Sequence, residues 1–147
     1  MRILAISDIH GRKKSFRDAM ECSKDFDLVV CAGDIEDLEI ARGLRENGVL
    51  SVLGNMDSMN LARDLGECYM HCRVKLLDKL AILGINGKRE EELRDFIPSL
   101  RKEISGRDLI ILSHYPPYGT KTDVSFMRVH IGSKFVREVV EELSPIV

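Results

Sequence analysis

Apolar residues fall into short runs separated by stretches of mixed character. The first run, Ile3 to Ile6, is followed by a mixed stretch from Ser15 to Ser23 and by a second run, Leu28-Val29-Val30-Cys31-Ala32. An amphipathic stretch from Asp37 to Glu46 then leads to a third run at Val49 to Leu53. Runs this short suit strands and the mixed stretches suit crossover helices, so this third of the chain predicts strand, helix, strand, helix, strand. Near-continuous apolar strands joined in this way imply a parallel sheet covered on both faces. Asn47-Gly48 is a natural helix stop.

Further along, Arg73 to Leu77 and Leu80 to Ile85 flank Asp78-Lys79 and predict an antiparallel hairpin. A helical stretch from Arg89 to Ile104 contains Pro98, which predicts a break into two shorter helices. Leu109 to Ser113 reads as a buried strand closed by His114 and Pro116-Pro117. Ser133 to Leu143 is a helix with Phe135, Val136, Val139, Val140 and Leu143 on one apolar face, and Pro145-Ile146-Val147 reads as the start of a further strand.

A length of 147 residues with 44% apolar content suits one domain over 1–147. The net charge of −2, from 22 basic and 24 acidic residues, offers no global field to hold duplex nucleic acid. No segment has the length of a membrane span, and the apolar start is too brief for a signal peptide, so no membrane partner is expected. Cys22, Cys31, Cys68 and Cys72 form no CxxC pair, which points to thiols and a cytoplasmic location.

Ligand-type residues cluster at strand ends. Asp8, Asp34, Asn55 and His114 each lie one or two positions beyond an apolar strand, with His10 two residues after Asp8. In a parallel α/β sheet those ends share one edge, where such folds build their sites. Two carboxylates, a carboxamide and two imidazoles suit hard or borderline divalent cations rather than a soft sulfur site. Asp57 reads equally as an orienting group and as a helix cap. Arg12-Lys13-Lys14 could steer phosphate but suits a solvated run better. Cys68, His71 and Cys72 are too few to close a metal site, and His130 reads as a loop histidine that could stand in for a ligand. Tyr115 and Tyr118 suit either a pocket wall or packing beside the prolines.

Asp8-Ile9-His10, Gly33-Asp34, Gly54-Asn55 and His114 resemble, in order, the DxH, GD and GNH(D/E) motifs and the later lone histidine of calcineurin-like metallophosphoesterases, over residues 1 to about 118. The resemblance implies an αββα sandwich of the metallophosphoesterase type and two divalent ions. Manganese is the first expectation, with magnesium, iron, zinc or nickel as alternatives. Asp8 and His10 would hold one ion, Asn55 and His114 the other, and Asp34 both. It implies hydrolysis in which ions about 3.5 to 4 Å apart clamp the phosphate and supply an activated water. Two departures modify the expectation. Met56 replaces the GNH histidine, removing a proton donor commonly worth about 10²- to 10⁴-fold. Similar members with cysteine at that position are regarded as phosphodiesterases, so a small phosphodiester or nucleotide-like substrate is favoured. The GHxH motif, with the C-terminal strands that carry it, is absent, which leaves five of seven ligands and predicts weakened metal affinity. It also predicts an uncovered edge or apolar face that could support a homo-oligomer. The rival expectation is a non-catalytic metal-binding or scaffold protein that keeps the fold.

Overall fold

The computed structural model describes residues 1–147. Strand β1 (Ile3–Ile6) leads through helix α1 (Lys13–Ser23) to β2 (Leu28–Cys31), and α2 (Leu38–Glu46) leads on to β3 (Leu50–Ser51). These strands form a parallel sheet in the order β1-β2-β3, with Ile3 opposite Leu28 and Val30 opposite Leu50. After the short helix α3 (Leu61–Leu65), β4 (Val74–Leu77) and β5 (Leu80–Ile85) make the expected antiparallel hairpin. Helix α4 (Ile97–Ile104) returns the chain to β6 (Asp108–Ser113), which lies parallel to β5, and α5 (Lys134–Leu143) follows.

The boundaries have local causes. Asp37 accepts a hydrogen bond from the Ile40 amide and starts α2; Asn47 ends it, with Gly48 at φ +67°. The stretch from Arg89 breaks as expected, into a 3-10 turn at Glu90–Asp95 and α4, with Pro98 at the start of the second helix. The third apolar run yields only two strand residues. Val52 still donates to the Cys31 carbonyl of β2, but from Leu53 the backbone pairs elsewhere: Leu53 donates to the Asn86 side chain at 2.8 Å and its carbonyl accepts from Gly87 at 2.7 Å. Ile146 donates to the Leu109 carbonyl and Val147 accepts from Ile111, so the last residues lie along β6.

Alternation along the strands sorts the core into three seams. In β5, Leu80 and Ile82 meet Val30, Leu50, Val52, Met70 and Leu112 between the two sheets. The intervening Ala81, Leu83 and Ile85 face Leu93, Ile97, Leu100, Phe135, Val136 and Val139 under α4 and α5. Cys31, Val49 and Leu53 face Ile40, Ala41, Leu44, Leu61 and Leu65 under α2 and α3. The layers are therefore helix, sheet, sheet, helix. One face departs from the expectation of full cover: between β1-β2 and β6 an apolar groove of about 370 Å³ is lined by Ile3, Ala5, Leu28, Val30, Ile110, Ile111, Leu112 and Val147.

Candidate metal centre

The carboxyl ends of β1, β2, β3 and β6 carry Asp8, Asp34, Asn55 and His114 to one edge. The loops after β1 and β2 are zipped together: Asp8 donates to the Gly33 carbonyl, His10 to that of Asp34 and Gly11 to that of Ile35, at 2.8 to 3.0 Å. Asp8, His10, Asp34 and Glu36 all hold left-handed backbone, with φ from +47° to +58°. Such positions cost of order 1–3 kcal/mol each and cluster at functional sites. The compensation is visible. Arg12 donates to the Asp8 and Ile9 carbonyls. The buried Asp57 accepts from the Ile35 and Glu36 amides through Oδ1 and from the Gly54 amide through Oδ2, each at 2.8 Å. Glycine is required where these loops touch. A Cβ on Gly33 would lie 2.3 Å from the Gly54 nitrogen, and one on Gly54 would lie 2.0 Å from Asp34 Oδ1.

The donor atoms of Asp8, His10 and Asp34 lie within 4.8 Å of one another. His10 Nδ1 donates to Glu36 Oε1 at 2.6 Å, which fixes the tautomer and leaves Nε2 facing Asp8 Oδ1 at 3.6 Å and Asp34 Oδ2 at 3.9 Å. That bond to Glu36, with the surrounding carboxylates, holds the imidazole pKa above its ordinary value despite some desolvation. The other oxygen of the buried Asp34 faces the second sheet: Oδ1 accepts from the Met56 amide at 2.9 Å and lies 3.8 Å from His114 Nε2. His114 donates Nδ1–H to the Ala32 carbonyl at 2.8 Å, so its Nε2 lone pair points at Asn55 Oδ1, 2.8 Å away. Two lone-pair atoms in such contact are satisfied by a shared cation or by a rotated carboxamide. No lysine or arginine pairs with the carboxylate of Asp8 or Asp34. A partly buried set of oxygen and nitrogen donors with no lysine or arginine against its carboxylates fits a divalent cation.

Several residues of the site carry no sequence signal. Glu36, Asn86 and Gly87 are ordinary loop types, and their partners lie far away in the chain. Asn86 Nδ2 donates to the Tyr69 hydroxyl while Asn86 Oδ1 holds Leu53; a Cβ on Gly87 would lie 2.5 Å from the His114 ring. Lys88 follows and donates to the Asp57 carbonyl at 3.1 Å. Tyr115 packs beside the His114 ring, and burial together with Glu90 and Asp34 pushes its phenol up.

Other candidates lie elsewhere. Arg12 is spent on carbonyls, Lys13 bonds Glu39, and Lys14 bonds Asp18. His71 is buried, accepts from the Asn86 amide through Nδ1 and is pushed below its usual pKa by burial. Burial raises the Cys72 thiol to about 11 and Cys31 to about 12, and Cys31 packs in the core under α2. Cys68 bonds the Arg45 carbonyl instead. His130 pairs with Asp123 at 2.6 Å, and its ring packs at a tilt against that of Tyr118. Met56 is 60% exposed and lines an open cleft of about 440 Å³ with Glu36, Leu38, Ser58, Asn60 and Leu61. No helix is long and apolar enough to cross a membrane.

Two sheets between helices, with carboxylate, imidazole and carboxamide donors gathered at their shared edge, define an α/β protein of the metallophosphoesterase type. The sequence model of the calcineurin-like phosphoesterase superfamily domain matches residues 1–137, and the chain belongs to that superfamily. An uncharacterized protein of Methanocaldococcus jannaschii is 28% identical over 168 aligned positions, covering 98% of this chain and 75% of that protein. The crystal structure of TT1561 of Thermus thermophilus matches with a TM-score of 0.77 at 16% identity, covering 99% of this chain and 79% of that one. A second crystal structure matches with a TM-score of 0.71 at 16% identity, covering 98% and 80%. The class chemistry that goes with the family is metal-dependent hydrolysis of phosphate esters.

Proposed function

We propose that this protein is a phosphodiesterase with a dinuclear divalent centre. One observation carries the reading: the oxygens of Asp34 face opposite ways, Oδ2 towards Asp8 and His10, Oδ1 towards Asn55 and His114. A carboxylate so divided is suited to two cations, one held with Asp8 and His10 and the other with Asn55 and His114. Such ions, with manganese the first expectation, supply Lewis-acid polarisation of the phosphoryl group and lower the pKa of a water. Glu36 keeps the His10 proton on Nδ1, and Ala32 keeps that of His114 on its Nδ1, so both Nε2 atoms are free as ligands. Lys88, beside the Asn55 loop, offers a cation for a non-bridging phosphoryl oxygen. Met56 gives no proton to a departing alkoxide, which favours diesters with good leaving groups.

Hydrolysis of bis-nitrophenyl phosphate with added Mn²⁺ tests the reading. The expected results are activity in the wild type, loss of at least about 10²-fold in Asp34→Ala, and alkyl monoesters turned over far more slowly. A folded wild type as inactive as Asp34→Ala selects a scaffold role instead, which the exposed Met56 at the proton-donor position would then explain. Lys88→Met should raise KM more than it lowers kcat, whereas an unchanged KM removes the lysine from the substrate site.

A further inference from the structure

Between β6 and α5 the chain projects a hairpin that the metal centre does not use. Val124 bridges His130; Ser125 donates to the Val129 carbonyl, Arg128 to that of Ser125, and Ile131 to that of Asp123. The base is well built: Asp123 is fully buried and accepts from His130 Nδ1 and the Gly119 amide.

The tip is anomalous in two ways. Phe126 is 97% exposed and Met127 69%, with Val124, Val129 and Ile131 also exposed beside them. A cluster of this kind on a protein surface marks an interaction site. Arg128 occupies the left-handed position of the turn at φ +60°, where glycine or asparagine would be unstrained. The strained position thus holds a cation against the apolar tip. Lys121 and Lys134 are also exposed, and the one carboxylate between Tyr118 and Lys134, Asp123, is buried. Neither Lys121 nor Arg128 has an ion-pair partner, and Lys134 lies over the Tyr118 ring.

A convex tip is no pocket for a small molecule. Two-fold pairing through the same tip would set Arg128 and Lys121 against their own copies. An anionic bilayer satisfies both features, taking apolar side chains at the headgroup boundary and cations at the phosphates. We propose that this hairpin docks the protein on anionic phospholipid membranes, with Phe126 and Met127 inserted and Lys121 and Arg128 at the headgroups. The contact is peripheral and independent of hydrolysis.

Co-sedimentation of the full chain with phosphatidylcholine vesicles, with and without phosphatidylglycerol, tests it. Binding to the anionic vesicles is expected, weakened about tenfold on neutral ones and by added salt. Phe126→Asp with Met127→Asp should abolish binding while leaving the melting temperature and diesterase activity unchanged; Phe126→Ser alone should already weaken it. Lys121→Ala with Arg128→Ala should remove the salt dependence. A wild type that stays in the supernatant overturns the proposal, as does sedimentation unaffected by the tip variants. So does a dimer that the double variant dissolves, or capture of single-stranded oligonucleotide in preference to vesicles.

Discussion

Asp57 holds three backbone amides from two loops while being 1% exposed. Its sequence reading was divided between an orienting group and a cap, and the structure assigns the first: α3 has no side-chain cap at its start. Asp57→Ala leaves three donors without a partner, each costing about 1–3 kcal/mol. A loss of about 3 kcal/mol or more is expected in denaturant unfolding, with weaker Mn²⁺ binding by calorimetry. Gly54→Ala should lower both metal affinity and stability, since its methyl would meet Asp34 Oδ1 and the Asp34 backbone nitrogen. The ligand-type residues were legible because their position after apolar strands identifies them. Glu36, Asn86 and Gly87 were not, because their roles arise from contacts between remote loops.

Elements whose causes are local matched their sequence signals: the Asp78-Lys79 turn, the Asn47-Gly48 stop, and the break before Pro98. The third strand was over-read because Leu53 looks like its neighbours, while its backbone pairs with Asn86 and Gly87. The same junction gives a pH dependence. His71 bridges β5 at Gly84, and its Nδ1 accepts from the Asn86 amide, so protonation there would set donor against donor. Burial lowers its pKa from the ordinary 6.5, so the folded protein takes up this proton less readily than the unfolded chain. Its contribution to stability is complete above the unfolded value and is lost as pH falls through the lower folded value. Thermal melts from about pH 7.5 to about pH 5 should show this decline, and His71→Gln should flatten it.

For the whole molecule, near-continuous apolar strands joined by helices implied a parallel sheet covered on both faces; the second sheet of the sandwich came from the motif resemblance. The reason is physical: the seam between the sheets joins Val30 and Leu50 to Leu80 and Ile82, pairs that no local period relates. We infer that this shared seam makes residues 1–147 unfold as one unit. Ile82→Ala should cost about 2–5 kcal/mol, and hydrogen exchange should then rise together in β2 and β5. A rise confined to β5 would indicate two separable halves.

His114 belongs to the second sheet, yet it bonds Ala32 and faces Asp34, both of the first. A cation gripped there would rivet one layer to the other, so chelation should loosen the slab as a whole, with slippage starting beside the emptied site, where the ends of β6 and β2 meet.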